Sequence, residues 1–515
     1  MALMASPVEF CEKPYRFFRA YSLLLVLACL GLAQTLLVKV KTTVATPAPI
    51  EPSEACTYYL SPTGSDTSFG SLEAPWKHLQ KAFDTLTAGQ VACLRAGTYE
   101  PAGTYNTPSY RQSFSRKGEP GKPIVIRNYP GETAIIRGEA VVGGSNLKLL
   151  GTPPSGRLIF QGPLGPDASG VKGKGASQVW LDKCHHVVLD HVEIRNNDYH
   201  AGLYVSDVSD VQILGCYVHD NGRFDTETDA LGQHPVNVDQ GIYWATSSGS
   251  NRIANCVLEH NRSANLQLFA GSGKITGLTI AENTIVKAMN SGVIIGKGAD
   301  GNVFTNNIVA MNSQQTNNKQ IRLADNASNN ILDANLAWSG RTSSDEVNRW
   351  TLTGSGNVVK NLFVLDPLFA DFSRGDYHLR PGSPAISAAL LVDVERTDID
   401  GMRRPARASL GAYEFKPPPP VSRLGKHLDR TDIVSSRRTR GALVVVGHVE
   451  ECQPHVQRRA AGLQISIRNG RVIHRAARCR HEQRIGIVYI VGRGHAAGGR
   501  GVSHRPLIRQ IVCDT

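Results

Sequence analysis

No Cys-x-x-Cys pair occurs among the ten cysteines of this 515-residue chain, and this absence argues against a structural zinc site. The region between Val187 and Gly340 lacks a helical period, which argues against a helical repeat protein. A net charge is absent from residues 1–416. The formal charge of +12 comes from residues 417–515, which hold 17 Arg and one Lys against six Asp and Glu. The folded region therefore carries no charge that predicts a nucleic-acid partner.

One phrase recurs between Val187 and Gly340: an apolar strand pair, then a polar turn that ends in Asn or Gly. Successive copies are separated by 24, 40, 27, 23 and 28 residues. The equivalent residues are taken as Ile194, Val218, Leu258, Ile285, Ile308 and Leu336. A unit of this length cannot bury its apolar face alone, so neighbouring units must stack and share a core. The pattern predicts an all-β fold, a parallel β-solenoid.

The N-terminus carries basic residues and then an apolar run from Ser22 to Val38. We interpret it as a cleaved export signal, with an uncleaved membrane anchor or a buried helix as alternatives. The export signal predicts a secreted, periplasmic or cell-surface protein. The sequence divides into a signal and linker (1–45), a solenoid with its N-terminal cap (46–365), a C-terminal segment of the solenoid (366–416) and an Arg-rich tail (417–515).

Export also bears on the cysteines, because disulfides form in oxidising compartments. Cys56 and Cys93 lie in two strand-like segments, which leaves a disulfide and two free thiols as alternatives. Cys216 and Cys256 occupy the same position in successive repeats, so we expect them to stack in the core as small apolar residues. Asn197, Asn221 and Asn261 also fall in register, which predicts an internal ladder of amide hydrogen bonds.

The segments before and after the repeats predict how the solenoid begins and ends. Apolar residues recur at helical spacing from Trp76 to Leu86, and a short helix there is expected to cap the first coil. Lys122–Gly138 reads as two strands around the turn Pro130-Gly131-Glu132. Beyond Pro417 the composition changes abruptly. We interpret the tail as a sequence without a selected fold, with a basic arm for an anionic polymer as the alternative.

Several segments resemble right-handed parallel β-helix proteins of the pectate-lyase-like superfamily. The segments are YYLSPTGSD, APWKHLQKA, LRAGTYE, GKPIVIRNYPGETAIIRG, LDPLFADFSRGDYHLRPGSPAISAA and TDIDGMRRPARASLGAYEF, within residues 56–415. The resemblance implies a single-stranded right-handed parallel β-helix, an acidic (uronic-acid) polysaccharide as partner and calcium as cofactor. The resemblance is specific for the fold but weak for the chemistry, because one fold hosts unrelated activities.

The strand after each polar turn predicts a surface strip. Alternation sends one set of side chains inward as a ladder: Leu203/Val205, Ile242/Trp244, Leu266/Leu268, Val293/Ile295 and Ile321/Leu323. The outward row is Tyr204, Tyr243, Gln267, Ile294 and Arg322, flanked by Gly202, Gly241, Asn265, Gly292 and Gln320. Aromatic rings, amides and a cation suit an extended acidic sugar polymer. We take Tyr204, Tyr243, Gln267 and His200 as the substrate-binding residues, although a polar strip also occurs on solenoids that bind nothing.

The 40-residue step marks an insertion at 223–241, and insertions of this kind often carry binding loops. Its carboxylates are candidates for calcium ligands, because calcium prefers six to eight oxygens. The candidate ligands are Asp225, Glu227, Asp229 and Asp239. The run lacks the glycine and the final Glu of an EF-hand loop, so a merely solvated acidic loop is the alternative.

The resemblance implies cleavage by β-elimination, with Lys or Arg as the base. The corresponding candidates are Arg322 and Lys297, with Asp239 near the metal and His200 and His234 near the insertion. The acidic calcium cluster and base lysine of the pectate lyases have no match in this sequence, nor has the Lys/Arg pair of the alginate and chondroitin lyases. The competing expectation is therefore a non-catalytic carbohydrate-binding or adhesive surface protein.

Overall fold

The computed structural model describes residues 55–103, 111–153, 156–162, 177–198, 200–224, 235–316, 318–341, 345–390 and 394–418, together with four short strands further along the chain. The chain divides into two compact units, 1–417 and 418–515. In the second unit the structure describes two antiparallel hairpins, Ser436–Thr439 with Ala442–Val445 and Ser466–Arg468 with Arg471–Ile473. Apart from Pro417 and Pro418, the other residues of the predicted tail lie outside the described residues, as does the predicted export signal.

The first unit is a right-handed parallel β-helix, as predicted. Each coil contributes a strand to sheet 1, then one to sheet 2, then one to sheet 3. Sheet 1 contains Tyr58–Leu60 (β1), Val91–Leu94 (β2), Ile124–Asn128 (β5), Ser145–Leu150 (β8), His185–Asp190 (β11), Val208–Ser209 (β14), Gln212–Leu214 (β15), Ser247–Ser248 (β18), Asn251–Ala254 (β19), Leu278–Ala281 (β22), Val303–Thr305 (β25), Ile331–Asp333 (β28) and Val358–Lys360 (β31).

Sheets 2 and 3 have nine strands each. Sheet 2 contains Gly97–Tyr99 (β3), Thr133–Ile136 (β6), Arg157–Gln161 (β9), Val192–Arg195 (β12), Tyr217–His219 (β16), Val257–Glu259 (β20), Thr284–Val286 (β23), Ile308–Ala310 (β26) and Leu336–Trp338 (β29). Sheet 3 contains Arg111–Phe114 (β4), Glu139–Val142 (β7), Val179–Asp182 (β10), Leu203–Ser206 (β13), Ile242–Trp244 (β17), Leu266–Leu268 (β21), Val293–Ile295 (β24), Ile321–Leu323 (β27) and Val347–Asn348 (β30).

A single residue in the left-handed backbone conformation turns the chain from sheet 1 into sheet 2. The corner residues include His191, Gly215, Asn255, Asn306 and Asn361, with φ between 49° and 58°. Glycine and asparagine adopt this conformation at low cost, because glycine has no Cβ and the asparagine amide bonds locally. The short corner keeps the strands of sheets 1 and 2 in fixed succession from coil to coil.

Ladders of buried amides run along the corners. The backbone N–H of Asn197 donates to Asn221 Oδ1 at 3.1 Å, and that of Asn221 donates to Asn261 Oδ1 at 3.1 Å. This confirms the predicted ladder. Two further ladders follow other corners: Asn283, Asn307 and Asn335, and Asn302, Asn330 and Asn357. Each amide satisfies buried backbone groups that would otherwise lack a partner.

Cysteine chemistry agrees with the stacked repeats. Cys216 and Cys256 are buried free thiols in the core, as predicted. The disulfide alternative is confirmed at the first coils, where Cys56 and Cys93 are bonded with their Cα atoms 5.6 Å apart. The predicted cap is present as helix α1 (Leu79–Thr85), whose Phe83 ring stacks on Phe114 with centroids 4.3 Å apart. It covers the open end of the core.

The predicted register is wrong at one step. Ile194, Val218, Leu258 and Ile285 pair in succession, but Ile285 pairs with Val309 rather than with Ile308. A shift of one residue moves a side chain to the opposite face of a strand. Ile308 and Leu336 therefore point outward from sheet 2.

The C-terminal segment explains why these outward residues are apolar. It begins with a hairpin of Phe369–Asp371 (β32) and Asp376–Leu379 (β33), joined by the 3₁₀ turn Phe372–Arg374. The segment packs against the outer face of sheet 2, where a second apolar cluster forms. Its buried members are Val257, Val286, Ile308, Ala310, Leu336, Phe369, Tyr377, Leu379, Ala385, Leu410 and Ala412. Sheet 2 is thus covered on both faces by the same chain.

Helix α2 (Pro235–Val238) lies in the insertion that precedes β17. Among the residues that the structure describes, no helix is long and apolar enough to span a membrane. The sheet that the insertion adjoins, sheet 3, is the one for which the sequence predicts a binding strip.

Candidate functional site

The outward row of sheet 3 is formed as the alternation predicts. Tyr204 pairs with Tyr243, Tyr243 with Gln267, Gln267 with Ile294 and Ile294 with Arg322. On each of these strands, the two inward side chains that flank the outward residue are buried in the main core. Successive members are therefore separated by one coil, about 4.8 Å. The row continues beyond the predicted residues to Trp180 at one end and Asn348 at the other.

Four rings gather at the N-terminal end of this row. Tyr204 and Tyr243 stack with their centroids 5.3 Å apart, and Trp180 meets Tyr204 edge-on at 5.6 Å. The ring of His200 lies 5.6 Å from both tyrosine rings. All four side chains are half-buried, so each keeps part of its surface available to a ligand. We call this set the aromatic cluster.

Polar contacts fix the orientation of Trp180. Its Nε1 donates to Ser206 Oγ at 3.0 Å, and Ser206 donates to the carboxylate of Asp182 at 3.1 Å. The guanidinium of Arg111 lies over the indole ring, 5.7 Å from its centroid, and also binds Glu139 at 2.7 Å. Burial raises the pKa of Glu139 although Arg111 opposes the shift. The indole is therefore held by groups on both sides.

The environment of His200 favours the neutral imidazole. Burial lowers its pKa, the guanidinium of Arg223 acts in the same direction, and Asp239 opposes them. A neutral imidazole can accept a proton at neutral pH, which a charged one cannot. Burial, with the neighbouring Tyr204, raises the pKa of Tyr243 to about 12, so the phenol stays protonated. The aromatic cluster thus joins a proton acceptor and a hydroxyl donor.

Gln267 is the polar continuation of the row. Its Oε1 accepts from Nε2 of the buried Gln240 at 2.9 Å, which leaves its own amide N–H groups directed away from that contact. The predicted flanking residues behave differently. Asn265 and Gln320 are buried in the amide ladder, where Asn261 donates to Asn265 Oδ1 at 2.7 Å and Asn312 to Gln320 Oε1 at 2.9 Å. They face the core, so they do not widen the strip.

Asp239 is fully occupied by hydrogen bonds inside the protein. Arg223 donates to Oδ2 through its backbone N–H at 2.9 Å and its Nε at 2.7 Å. It donates to Oδ1 through Nη2 at 2.6 Å, and the backbone N–H of His200 donates to the same atom at 3.2 Å. A carboxylate has about four acceptor positions, and all of them are used. The side chain of Asp239 is also without solvent exposure.

The described residues do not fit a calcium site. The other predicted ligands, Asp225, Glu227 and Asp229, lie outside the described residues, as does His234. Within the described ranges no group of three His, Cys, Asp or Glu residues is arranged to hold a metal ion. Asp239 would have to give up Arg223 before it could bind a cation. No chemical step through calcium is therefore derived for this chain.

The predicted catalytic residues are not brought together. Arg322 lies three coils from Tyr243, roughly 14 Å along the row. Lys297 follows the end of strand β24, is exposed and donates to the carbonyl of Gly271 at 2.8 Å. Asp239 is buried before strand β17. The strip therefore carries separate features along its length rather than a compact Lys, Arg and Asp centre.

Two residues of this face escape the sequence prediction. Trp180 precedes the clear repeats, but it lies between the inward Val179 and Leu181, so alternation alone would have found it. Arg223 gives no such signal, because its pairing with Asp239 spans the insertion.

Comparison with known proteins gives a family and several partial likenesses. The family described as "Pel9A-like, right handed beta helix region" matches residues 58–336, more than half of the chain. Pectate lyase PEL9 from Emericella nidulans is 39% identical over 89 residues, 17% of this chain and 20% of that protein. The uncharacterized protein YwoF from Bacillus subtilis is 39% identical over 83 residues, 16% of each chain. The chain spans a fifth or less of these relatives' length.

Solved structures align with this chain at low sequence identity. The crystal structure of pectate lyase Pel9A aligns with a TM-score of 0.45 and 15% identity, over 70% of this chain and 96% of that one. The GH136 lacto-N-biosidase from Eubacterium ramulus aligns with a TM-score of 0.38 and 14% identity, over 59% and 55% of the two chains.

Proposed function

This chain belongs to the Pel9A-like right-handed β-helix family, and we propose that it is an exported protein that binds an acidic polysaccharide along the outer face of sheet 3. The aromatic cluster carries the proposal. Sugar rings pack their apolar faces against aromatic rings, and the polar edges of Trp and Tyr bond to hydroxyl groups. Trp180, Tyr204 and Tyr243 lie on three successive coils, so together they offer a chain-shaped ligand a run of contacts.

The neighbouring polar groups support a ligand rich in hydroxyl groups. Gln240 holds the amide of Gln267 in one orientation, so an N–H donor is available one coil beyond Tyr243. The protonated phenol of Tyr243 supplies a second donor. Preset donors lower the entropy that a ligand loses on binding, because the side chains are already ordered.

For cleavage by β-elimination we assign the base to His200. The base must take the proton from the carbon beside the uronate carboxylate. The electron pair of that C–H bond forms the C=C bond as the C–O bond to the leaving sugar breaks, and the leaving oxygen takes a proton from water. His200 is neutral at pH 7 and lies within the aromatic cluster, whereas Arg322 is three coils away.

Binding without cleavage is the second candidate function. The filled acceptor positions of Asp239 support it, because this carboxylate is not available to a cation. The assay therefore compares calcium with EDTA.

One assay separates these functions. The full chain is incubated with pectate, alginate and glycosaminoglycans, with calcium or with EDTA, and the ultraviolet absorbance of the unsaturated product is followed. Retention on polysaccharide-containing gels reports binding independently. Absorbance that appears with the wild type and not with His200→Gln supports the lyase, and retention without absorbance supports the binder.

The binding surface is tested with Tyr243→Ala. The control is Tyr129→Ala, which also removes a half-buried tyrosine but lies outside sheet 3. We expect Tyr243→Ala to weaken retention at least tenfold, about 1.4 kcal/mol, and Tyr129→Ala to leave it unchanged. Equal retention of both variants would remove sheet 3 as the binding face.

A further inference from the structure

The far end of the outward row carries a cation, Arg322, that binds no carboxylate among the residues that the structure describes. Arg322 is half-buried, and among the described residues its guanidinium hydrogen-bonds only to Thr351 Oγ1, at 3.1 Å. By contrast, Arg223 and Arg111 on the same face each bind a carboxylate. A guanidinium has five N–H donors in a planar fork that matches a carboxylate. Arg322 therefore keeps most of its hydrogen-bonding capacity for a ligand.

An exposed tryptophan, Trp350, lies on the turn to which this cation is bonded. Residues 349–352 form a turn in which the N–H of Leu352 donates to the carbonyl of Arg349 at 3.0 Å. Trp350 lies at the corner of the turn with 87% of its surface exposed. The backbone N–H of Trp350 donates to Asn348 Oδ1 at 2.9 Å, and Asn348 pairs with Arg322 in the row. Arg322 binds Thr351 of the same turn, so the cation itself fixes the loop that presents the ring.

Cations and carboxylates both lie around this turn within the described residues: the backbone of Asp325 hydrogen-bonds to Thr351 and Thr353, and Asp345 precedes the turn. Arg349 and Lys319 both bind Asp345, each at 3.2 Å, so two cations share that carboxylate. Arg322 adds a third positive charge. A large exposed aromatic ring on the same turn as a guanidinium that binds no carboxylate of the described residues is suited to a ligand unit with an apolar face and a negative group. A uronate sugar has both.

We propose that Arg322 and Trp350 form a uronate subsite: the guanidinium binds the sugar carboxylate and the indole packs on the sugar ring. The inference rests on the proposed function of sheet 3. It assigns recognition of the ligand's negative charge to the Arg322 end of the outward row. The aromatic cluster, three coils away, packs on sugar rings whether or not they are charged. The two ends are roughly 14 Å apart, so a ligand that uses both must span several sugar units.

The experiment compares each uronic-acid polymer with its carboxyl-reduced counterpart, which keeps the chain and loses the charge. The probes are polygalacturonate, alginate and hyaluronan, and affinity electrophoresis of the full chain gives the dissociation constants. We expect Arg322→Gln to weaken binding of the charged polymer at least tenfold and to leave the reduced polymer unaffected. Arg322→Lys retains the charge and should keep part of the preference. Trp350→Ala should weaken binding of both polymers.

The controls are Arg374→Gln, which removes an exposed arginine from the C-terminal segment, and Phe69→Ala, which removes a ring that is 90% exposed near the N-terminal cap. Both should bind as the wild type does. If Tyr243→Ala loses binding while Arg322→Gln and Trp350→Ala do not, the proposed function stands and the subsite is refuted. Equal wild-type affinity for charged and reduced polymers also refutes the subsite. If the wild type binds none of the polymers, the proposed function fails and the subsite with it.

Discussion

Arg223 binds Asp239 through three nitrogens, its backbone N–H, Nε and Nη2, and so joins the two ends of the insertion that interrupts the coil. Both side chains are buried, with 4% and 0% of their surfaces exposed. The pair lies directly beside His200, whose backbone N–H donates to Asp239 Oδ1. It therefore fixes the backbone from which the aromatic cluster is built.

Removal of one member of this pair should destabilise the protein strongly. We expect Arg223→Met to cost about 3–5 kcal/mol of unfolding free energy, because the carboxylate of Asp239 is left buried and unpaired. The double variant Arg223→Met, Asp239→Asn removes that charge and keeps an acceptor for the N–H groups, so it should recover part of the loss. Urea unfolding measures both. A double variant no more stable than the single one would show that the pair is not the cause.

Outward apolar residues of sheet 2 should matter as much as core residues. Ile308 is buried beneath the C-terminal segment, so Ile308→Ala should cost about 2–4 kcal/mol. Ile331 in sheet 1 is 39% exposed, and Ile331→Ala is the matched control with a much smaller expected loss. Urea unfolding again gives the values. Similar losses of unfolding free energy for the two variants would contradict the conclusion that the C-terminal segment covers the outer face of sheet 2.

The disulfide should stabilise the first coils. The bond between Cys56 and Cys93 spans 37 positions, and a loop of that size corresponds to about 4 kcal/mol by the chain-entropy estimate. We expect the Cys56→Ala, Cys93→Ala variant to unfold at a lower urea concentration than the wild type. Reductant should lower the midpoint of the wild type and leave that of the variant unchanged. A response of the variant to reductant would implicate other thiols.

Histidines on the outer side of sheet 2 predict a pH dependence of stability. His191 has Nδ1 2.5 Å from Asp190 and Nε2 3.3 Å from the carbonyl of Ile399 in the C-terminal segment, and only the charged imidazole donates through both nitrogens. Burial opposes the charge, but the hydrogen bond and the charge of Asp190, together with the carbonyl of Ile399, outweigh it and raise the pKa of His191. His219 has a raised pKa for the same reason, with Asp220 and Glu193 as partners.

The sign follows from these raised values. The stabilisation is complete below the unfolded-state pKa of histidine, about 6.5, and is lost as the pH rises through the folded-state values. The unfolding free energy should therefore fall between mildly acidic and mildly alkaline pH. His191→Gln keeps one hydrogen bond and cannot titrate, so its fall should be smaller. Urea titrations across this pH range provide the measurement, and an identical pH profile for the variant would contradict the assignment.

Much of this architecture can be predicted from the sequence because a strand exposes alternate residues to opposite faces. That rule alone orders Tyr204, Tyr243, Gln267 and Arg322 in one row, and their pairing confirms it. It fails where both faces are apolar. Ile308 and Val309 are equally apolar, and the choice between them depends on a cover that follows 60 residues later in the chain.

The rule also fails at corners. Asn265 and Gln320 precede their strands, where the backbone no longer alternates, and their amides turn into the core ladder. Arg223 and Asp239 pair across an insertion that has no repeat, so no periodic signal joins them. These are contacts between residues distant in sequence, and local patterns do not encode them.

The outward residues of sheet 3 are spaced at a constant interval along the β-helix. Each coil adds one step of about 4.8 Å, and three steps separate Tyr243 from Arg322, with Gln267 and Ile294 at the two positions between them. A coil inserted or deleted there would shift the guanidinium against the rings by one step without altering either end. On the proposed function, the number of coils between Tyr243 and Arg322 sets the length of polymer that can contact both residues.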